Sequence, residues 1–225
     1  MHVIELLIAQ IAPHHCSVCG RVGSIICQWC RPDATEPIPD RCFLCKAWGD
    51  NAGTCERCTK RYNPPKQVWV TSLYTGTPKV LVEGMKFSRK RATADVIADF
   101  MVEAIPHLPE EAVITHIPTA PSRIRLRGYD QAQLIAQAIA KHVGRGYRPL
   151  LRRISNVRQV GATRATRLQQ LERAFLADRR YADKNTPIVL VDDVTTTGGT
   201  LISATKELRR AGYKNIYASI FCQKD

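Results

Sequence analysis

At 225 residues and 44% apolar content, the chain is long enough for one α/β domain plus a small accessory module and too apolar to be a disordered polymer. Its 33 basic residues against 20 acidic ones give a formal charge of +13, which points to anionic partners. The apolar stretch over residues 3–12 is shorter than a membrane span, has no positive leader and is followed by no small-residue cleavage pattern, so it predicts a short amphipathic helix in a cytoplasmic protein with no membrane insertion.

Eight of the nine cysteines fall in four C-x-x-C pairs: Cys16/Cys19, Cys27/Cys30, Cys42/Cys45 and Cys55/Cys58. Two residues between thiolates let both sulfurs reach one ion, and two such knuckles complete a tetrahedral sulfur site. Disulfides are the competing use, but a reducing cytosol keeps thiols free. Repeated pairs without a flanking βαβ pattern do not fit thioredoxin-like chemistry. The expectation is therefore two structural zinc ions. Neighbouring knuckles share an ion in the simplest pairing, and an interleaved cross-brace is the alternative. Few apolar residues lie between the ligands, so the segment depends on metal to fold; structural zinc contributes on the order of 10–16 kcal/mol in small fingers. His14 and His15 read as surface residues beside the first knuckle.

Residues 1–62 form this zinc-binding module, and Pro64-Pro65 marks the boundary with a second domain over residues 63–225. Residues 68–74 alternate as a strand, and Thr77-Pro78 reads as an N-cap and first helical position of a helix reaching about residue 87. Arg89-Lys90-Arg91 precedes a second helix to about residue 105. Residues 112–117 form a buried strand ended by Pro118, with His116 as a satisfied core histidine. A polar, arginine-rich loop over residues 119–127 leads into a helix over residues 129–143, with Leu134, Ile135, Ala138 and Ile139 on its apolar face. Residues 152–166 lack a clean period and read as a long loop of functional kind. A helix follows near residues 167–175, and a last strand spans residues 215–222, with Cys222 as a small buried residue. Strands alternating with helices imply a parallel sheet with ligands at the carboxyl ends of its strands.

The most specific run is Ile188-Val189-Leu190-Val191-Asp192-Asp193-Val194-Thr195-Thr196-Thr197-Gly198-Gly199-Thr200. A buried strand ends in two carboxylates, and a hydroxyl- and glycine-rich turn opens a helix bearing Leu201, Ala204, Leu208 and Ala211. Unpaired amides at a helix start suit a phosphate, and glycines let the backbone approach it. Adjacent carboxylates can accept hydrogen bonds from a sugar diol or hold a divalent metal. Taken singly, these residues also read as solvated loop acids and helix caps. Between residues 123 and 180 stand 13 arginines and one lysine against three acids, a surplus of 11 positive charges. A polyanion can use so many cations, because each neutralised phosphate releases counterions; the alternative is a solvated basic face.

The acid-pair run resembles the phosphoribosyl-diphosphate signature of type I phosphoribosyltransferases. That resemblance implies a ribose diol on Asp192 and Asp193 and a 5-phosphate wrapped by Thr195, Thr196, Thr197, Gly198, Gly199 and Thr200. With the cysteine knuckles, Met85-Lys86-Phe87, Ile117-Pro118, the segment Arg127-Gly128-Tyr129-Asp130-Gln131, and Gln159, Arg164, Arg167 and Ala174-Phe175, the chain resembles the ComF family, including its competence and GntX-type branches. Asp130 stands where that family has Asn, and Gln170 also where Asn is usual. The resemblance implies a type I phosphoribosyltransferase-like α/β fold after the zinc module and, for the competence branch, handling of single-stranded DNA during natural transformation, with other competence or helicase proteins as further partners.

Two functions follow as expectations. In the first, Arg123, Arg125, Arg127, Arg152, Arg153, Arg158, Arg164 and Arg167 track a DNA backbone, with Tyr129, Tyr147 or Trp69 available to stack bases. In the second, the protein is an active transferase in which Asp192 and Asp193 are catalytic and Mg2+ accompanies phosphoribosyl diphosphate. Lys86, Arg123, Arg125 and Arg164 then face the departing pyrophosphate.

Overall fold

A computed structural model describes residues 13–49, 53–88, 90–154, 174–181 and 183–224. The helices expected at residues 3–12 and before residue 174, and with them Arg158, Gln159, Arg164, Arg167 and Gln170, lie outside the described residues. In chain order the elements are α1 (Glu56–Tyr62), β1 (Val68–Leu73), α2 (Gly76–Phe87), α3 (Thr93–Glu103), β2 (Val113–His116), α4 (Pro121–Arg127), α5 (Gln131–His142), β3 (Leu151–Arg153), β4 (Phe175–Ala177), β5 (Ile188–Thr195), α6 (Gly199–Arg210) and β6 (Ile216–Gln223). Four strands form a parallel sheet in the order β1-β6-β5-β2, and β3 and β4 make a separate antiparallel pair. No helix among the described residues is long and apolar enough to cross a membrane.

Both faces of the sheet are covered, as runs such as Ile188-Val189-Leu190-Val191 require. Val189 and Val191 face a core with Ile97 and Met101 of α3 and Ile135 and Ile139 of α5. Ile188 and Leu190 face a second core with Leu201 and Leu208 of α6 and Phe175 of β4. The cysteine-bearing segment straddles the sheet between them: Ile25 and Ala34 join the first core, and Phe43 joins the second. Midway, Glu36 crosses the end of β1, its amide donating to Ser72 Oγ at 2.7 Å and its carbonyl accepting from the Leu73 amide at 3.3 Å. Arg209 of α6 ties down the chain just after the second knuckle pair, donating to the carbonyls of Asn63 at 2.8 Å and Pro64 at 2.7 Å.

Four expectations need correction. The arginine-rich stretch after β2 is a helix, α4, because Pro121 sits in its first turn and Gly128 closes it at φ 83°, donating to the Ile124 carbonyl at 2.7 Å. The helix after β1 is capped by Thr75 rather than Thr77, which places Pro78 inside the first turn. The strand expected to end in the acid pair is longer. It runs through Asp192 and Asp193 to Thr195, because β6 continues beside it and pairs Asp192 with Ile220, Val194 with Cys222 and Thr195 with Gln223. Ladder partners override the poor strand propensity of aspartate. Phe175, expected as the end of a helix, opens β4.

Candidate functional site

Two groups of four sulfurs converge, Cys16, Cys19, Cys27 and Cys30 in one and Cys42, Cys45, Cys55 and Cys58 in the other, each with all ligand atoms within 4.8 Å of one another. Neighbouring knuckles are thus paired, and the cross-brace is not formed. The Cys19–Cys27 and Cys45–Cys55 sulfurs are both 3.7 Å apart, close to the spacing of about 3.8 Å that a tetrahedral ion with metal–sulfur distances near 2.3 Å imposes. The Ala47 backbone, against the opposing effect of burial and with help from the Arg57 guanidinium, holds the Cys45 thiol down to about 6, whereas burial and neighbouring sulfurs push Cys58 up to about 12. Crowded sulfurs that cannot all ionise together are the donor set a divalent cation relieves. The residues fit a soft or borderline metal.

The second knuckle reaches the hydroxyl-glycine turn directly. Gly198 has φ 72°, and a Cβ there would meet Leu44 Cδ2 at 2.4 Å and Phe43 Cε2 at 3.0 Å. Only glycine allows this close approach, and the left-handed backbone also favours it. Gln223 Nε2 donates to the Phe43 carbonyl at 2.8 Å, anchoring the knuckle to the end of β6 as well. This contact escaped the sequence reading; the one signal was Phe43-Leu44, two bulky apolar residues between ligands that needed a surface to cover.

The acid pair sits where three elements meet. Along β5 the pleat alternates, so Asp193 leans towards the α2–α3–α5 side and Asp192 towards the β3–β4 side. Lys86, one residue before the end of α2, bonds Asp193 Oδ2 at 2.7 Å, with both side chains largely buried. Asp192 Oδ1 accepts from the Asp193 amide at 2.9 Å. Desolvation and the adjacent Asp193 charge raise the Asp192 carboxyl well above its ordinary value, against the pull of that amide and of Lys86. Thr195 is buried at the strand end and Thr196 and Thr197 are exposed, while Gly199 and Thr200 open α6 half-buried. The first-turn amides of α6 have no intrahelical partner.

Two further elements bring one arginine each within electrostatic reach of the pair, Arg127 of α4 to Asp193 and Arg153 of β3 to Asp192. Arg123 and Arg127, four residues apart, share a face of α4, which leaves Arg125 exposed off that face. Desolvation, then Arg123, push the Arg127 guanidinium below its usual value while Asp193 and Asp130 pull it up. On β3, desolvation and Arg123 likewise lower Arg153, with Asp192 opposing. Arg153 also stacks over Phe175 with its guanidinium carbon 5.3 Å from the ring centre. Arg152, next along β3, leaves on the opposite face and lines a separate cleft of about 490 Å³ with Arg179 and Arg180.

Asp130 fixes the α4 arm. It caps α5, accepting from the Gln133 amide at 3.4 Å, and takes the Thr119 amide at 2.7 Å and Thr119 Oγ1 at 3.0 Å. Every contact is to a donor, so a carboxylate serves here as well as an amide. His116 lies behind it, buried, with Nε2 3.8 Å from Asp130 Oδ2 and Nδ1 2.9 Å from the Tyr147 hydroxyl. Burial lowers its pKa despite the nearby carboxylate. It is a satisfied core histidine, as expected. Of the three aromatics expected to meet bases, Trp69 and Tyr129 are buried and Tyr147 is half-buried against His116.

Two predictions follow from this geometry. A raised native pKa means that Asp192 disfavours the fold once pH passes its unfolded value, and most so above its folded value. Asp192→Asn should therefore stabilise the ligand-free protein at pH 7 by on the order of 1 kcal/mol, about 2–4 °C in Tm for a chain of this length. The gain should vanish as pH falls below the ordinary carboxylate range, where the native side chain is protonated in both states; thermal melts across pH check it. Secondly, stripping metal with a chelator, or Cys55→Ser, should release Phe43 and Leu44 from Gly198. Hydrogen exchange of the amides over residues 195–200 should then rise at least tenfold while the amides of β5 before Asp192 stay protected.

No protein-family model matches the chain. It is 26% identical over 220 residues to the DNA utilization protein YhgH of Salmonella typhi, covering 92% of this chain and 89% of that protein. It is 27% identical over 173 residues to competence protein F of Haemophilus influenzae, covering 72% and 75%, and 26% identical over 206 residues to competence protein ComFC of Streptococcus pneumoniae, covering 89% and 84%. Among solved structures it is similar to the allosteric regulatory enzyme of purine biosynthesis, at TM-score 0.43 and 21% identity, and to the glutamine phosphoribosylpyrophosphate amidotransferase of B. subtilis, at TM-score 0.44 and 19% identity. Each likeness covers 62% of this chain but only 30% of those enzymes. Matched competence and DNA-utilization proteins spanning most of its length, paired cysteine knuckles and the parallel sheet that follows them support the resemblance of the chain to the ComF family.

Proposed function

We propose that this protein binds single-stranded DNA through the basic surface around the β5 acid pair, and that the turn over residues 195–200 takes a ribose 5-phosphate. The observation that carries the reading is that Arg127 and Arg153, from two separate elements, lie within electrostatic reach of Asp193 and Asp192, with Arg123 close to both arginines. Arg123 electrostatically disfavours both of the other guanidiniums. Cations crowded past what the local carboxylates neutralise are a site that gains by admitting an anion. Exposed Arg125 extends the positive surface for a longer polyanion, and the matched relatives carry DNA-utilization and competence names. The two cysteine sites hold zinc on this reading, keeping the second knuckle against the phosphate turn, and free thiols of this number suit a reducing cytoplasm.

A second reading, phosphoribosyl transfer, is favoured by one feature: paired carboxylates beside a buried lysine at a strand end. Asp192 and Asp193 would accept the ribose diol, and Mg2+ bound with the diphosphate would neutralise the leaving group. Lys86 is held by Asp193, so it reaches a diphosphate only by exchanging that carboxylate for the ligand. Asp192→Asn together with Asp193→Asn should abolish binding of phosphoribosyl diphosphate by calorimetry, and retained binding would remove the acids from the site.

The DNA reading is tested by equilibrium binding of a labelled oligonucleotide to zinc-loaded protein across a salt series. Affinity should fall steeply with salt, with a slope near −0.7 per phosphate contacted for a single strand. The combined variant Arg123→Ala, Arg125→Ala, Arg127→Ala should lower the magnitude of that slope by about 2 and weaken binding at least tenfold at low salt. An unchanged slope removes α4 from the DNA path.

A further inference from the structure

A single exposed apolar side chain says little, since every soluble protein has some. Phe87 differs by where it is held. It is the last residue of α2 and is 75% exposed. The preceding residue, Lys86, is bonded to Asp193 at 2.7 Å, so the helix end carrying Phe87 is fixed against the acid pair. Two residues earlier the Met85 carbonyl accepts from the buried Tyr129 hydroxyl, tying the same turn to the α4–α5 junction. Arg127 reaches over the ring with its guanidinium carbon 5.9 Å from the centre while its Nη1 donates to Gln131 Oε1 at 2.9 Å. That separation is at the long end of cation–π contacts and leaves most of the ring open.

A rigidly mounted aromatic ring, open to solvent, with Arg127 positioned above it, matches what a nucleobase on a charged backbone requires: a π surface for the base and guanidinium charge for its phosphate. The aromatics that the sequence singled out cannot take this part, since Trp69 and Tyr129 are 9% and 6% exposed. Trp29 and Trp48 are also exposed, but no contact among the described residues connects either to the acid pair.

We propose that Phe87 is a stacking platform for a base of single-stranded DNA, placed so that the phosphate next to the stacked base meets Arg127. The inference rests on the DNA-binding reading above and adds to it a contact that depends on bases rather than on backbone charge. It separates two contributions that a salt series mixes: removing Phe87 weakens binding without changing the number of phosphates neutralised, whereas removing the α4 arginines changes that number.

The test uses full-length, zinc-loaded protein and two labelled oligonucleotides of equal length, one of thymidine and one of abasic sugar-phosphate. Phe87→Ala should lose about tenfold in affinity for the thymidine strand, keep its affinity for the abasic strand and keep the same salt slope on both. Phe87→Trp should retain affinity within about twofold and show quenching of fluorescence, beyond that of the parent protein, when the thymidine strand binds. Thermal melts matching the parent confirm that the exposed position tolerates both changes. A Phe87→Ala protein that binds thymidine strands like the parent overturns the proposal, as does an equal loss on both strands, which would mark an effect on charge or fold. If the parent binds neither strand at low salt, the DNA reading itself fails and the stack fails with it, a result distinct from either of the others.

Discussion

A side chain at position 198 would put its Cβ 2.4 Å from Leu44 and 3.0 Å from Phe43, and the arrangement of the whole site depends on that space being empty. Because it is, the second cysteine knuckle lies directly on the turn that follows β5, and Phe43 is part of the core beneath α6. The sulfur cluster and the turn over residues 195–200 are therefore mechanically one object. A metal that draws four sulfurs to the spacing found here also sets the position of two apolar side chains that brace the turn. Metal sites of this closed type supply folding energy rather than chemistry, and a metal held by Cys42, Cys45, Cys55 and Cys58 would supply it next to the turn.

The second constraint is electrostatic. Placing two carboxylates on consecutive residues of a buried strand is unfavourable, and the rise in the Asp192 pKa expresses it. The fold offsets the cost by bringing cations in from both sides of the sheet, Lys86 and Arg127 on one and Arg153 on the other. The two arginines are themselves partly desolvated and repelled by Arg123. Strain of this kind, held in place by α2, α4, β3 and β5 together, is typical of binding sites that trade stability for function.

Much of this was legible in the sequence because it is carried by local pattern. The C-x-x-C spacing, the apolar run before Asp192 and the glycine-threonine turn each reflect a constraint within a few residues. What the sequence did not carry depends on neighbours. β5 continues through the acid pair only because β6 lies alongside. The arginine stretch after β2 is a helix because Pro121 and Gly128 bound it, a pair of signals outweighed in the sequence by the density of polar residues. Asp130 stands where the resembled family has asparagine, and the Thr119 and Gln133 donors around it require only an acceptor. Phe87 and Phe43 could not be ranked above other aromatics without knowing which surface each would meet.

If one set of cations, Arg127 and Arg153 with Arg123 beside them, serves both a sugar-phosphate ligand and single-stranded DNA, the two ligands compete. The most direct measurement is the affinity for a labelled single-stranded oligonucleotide at fixed ionic strength, with and without saturating phosphoribosyl diphosphate and Mg2+. A shared site predicts that the small ligand weakens DNA binding, and that DNA weakens the small ligand by the same factor, as linkage demands. Two ligands that both bind yet leave each other's affinity unchanged would contradict it.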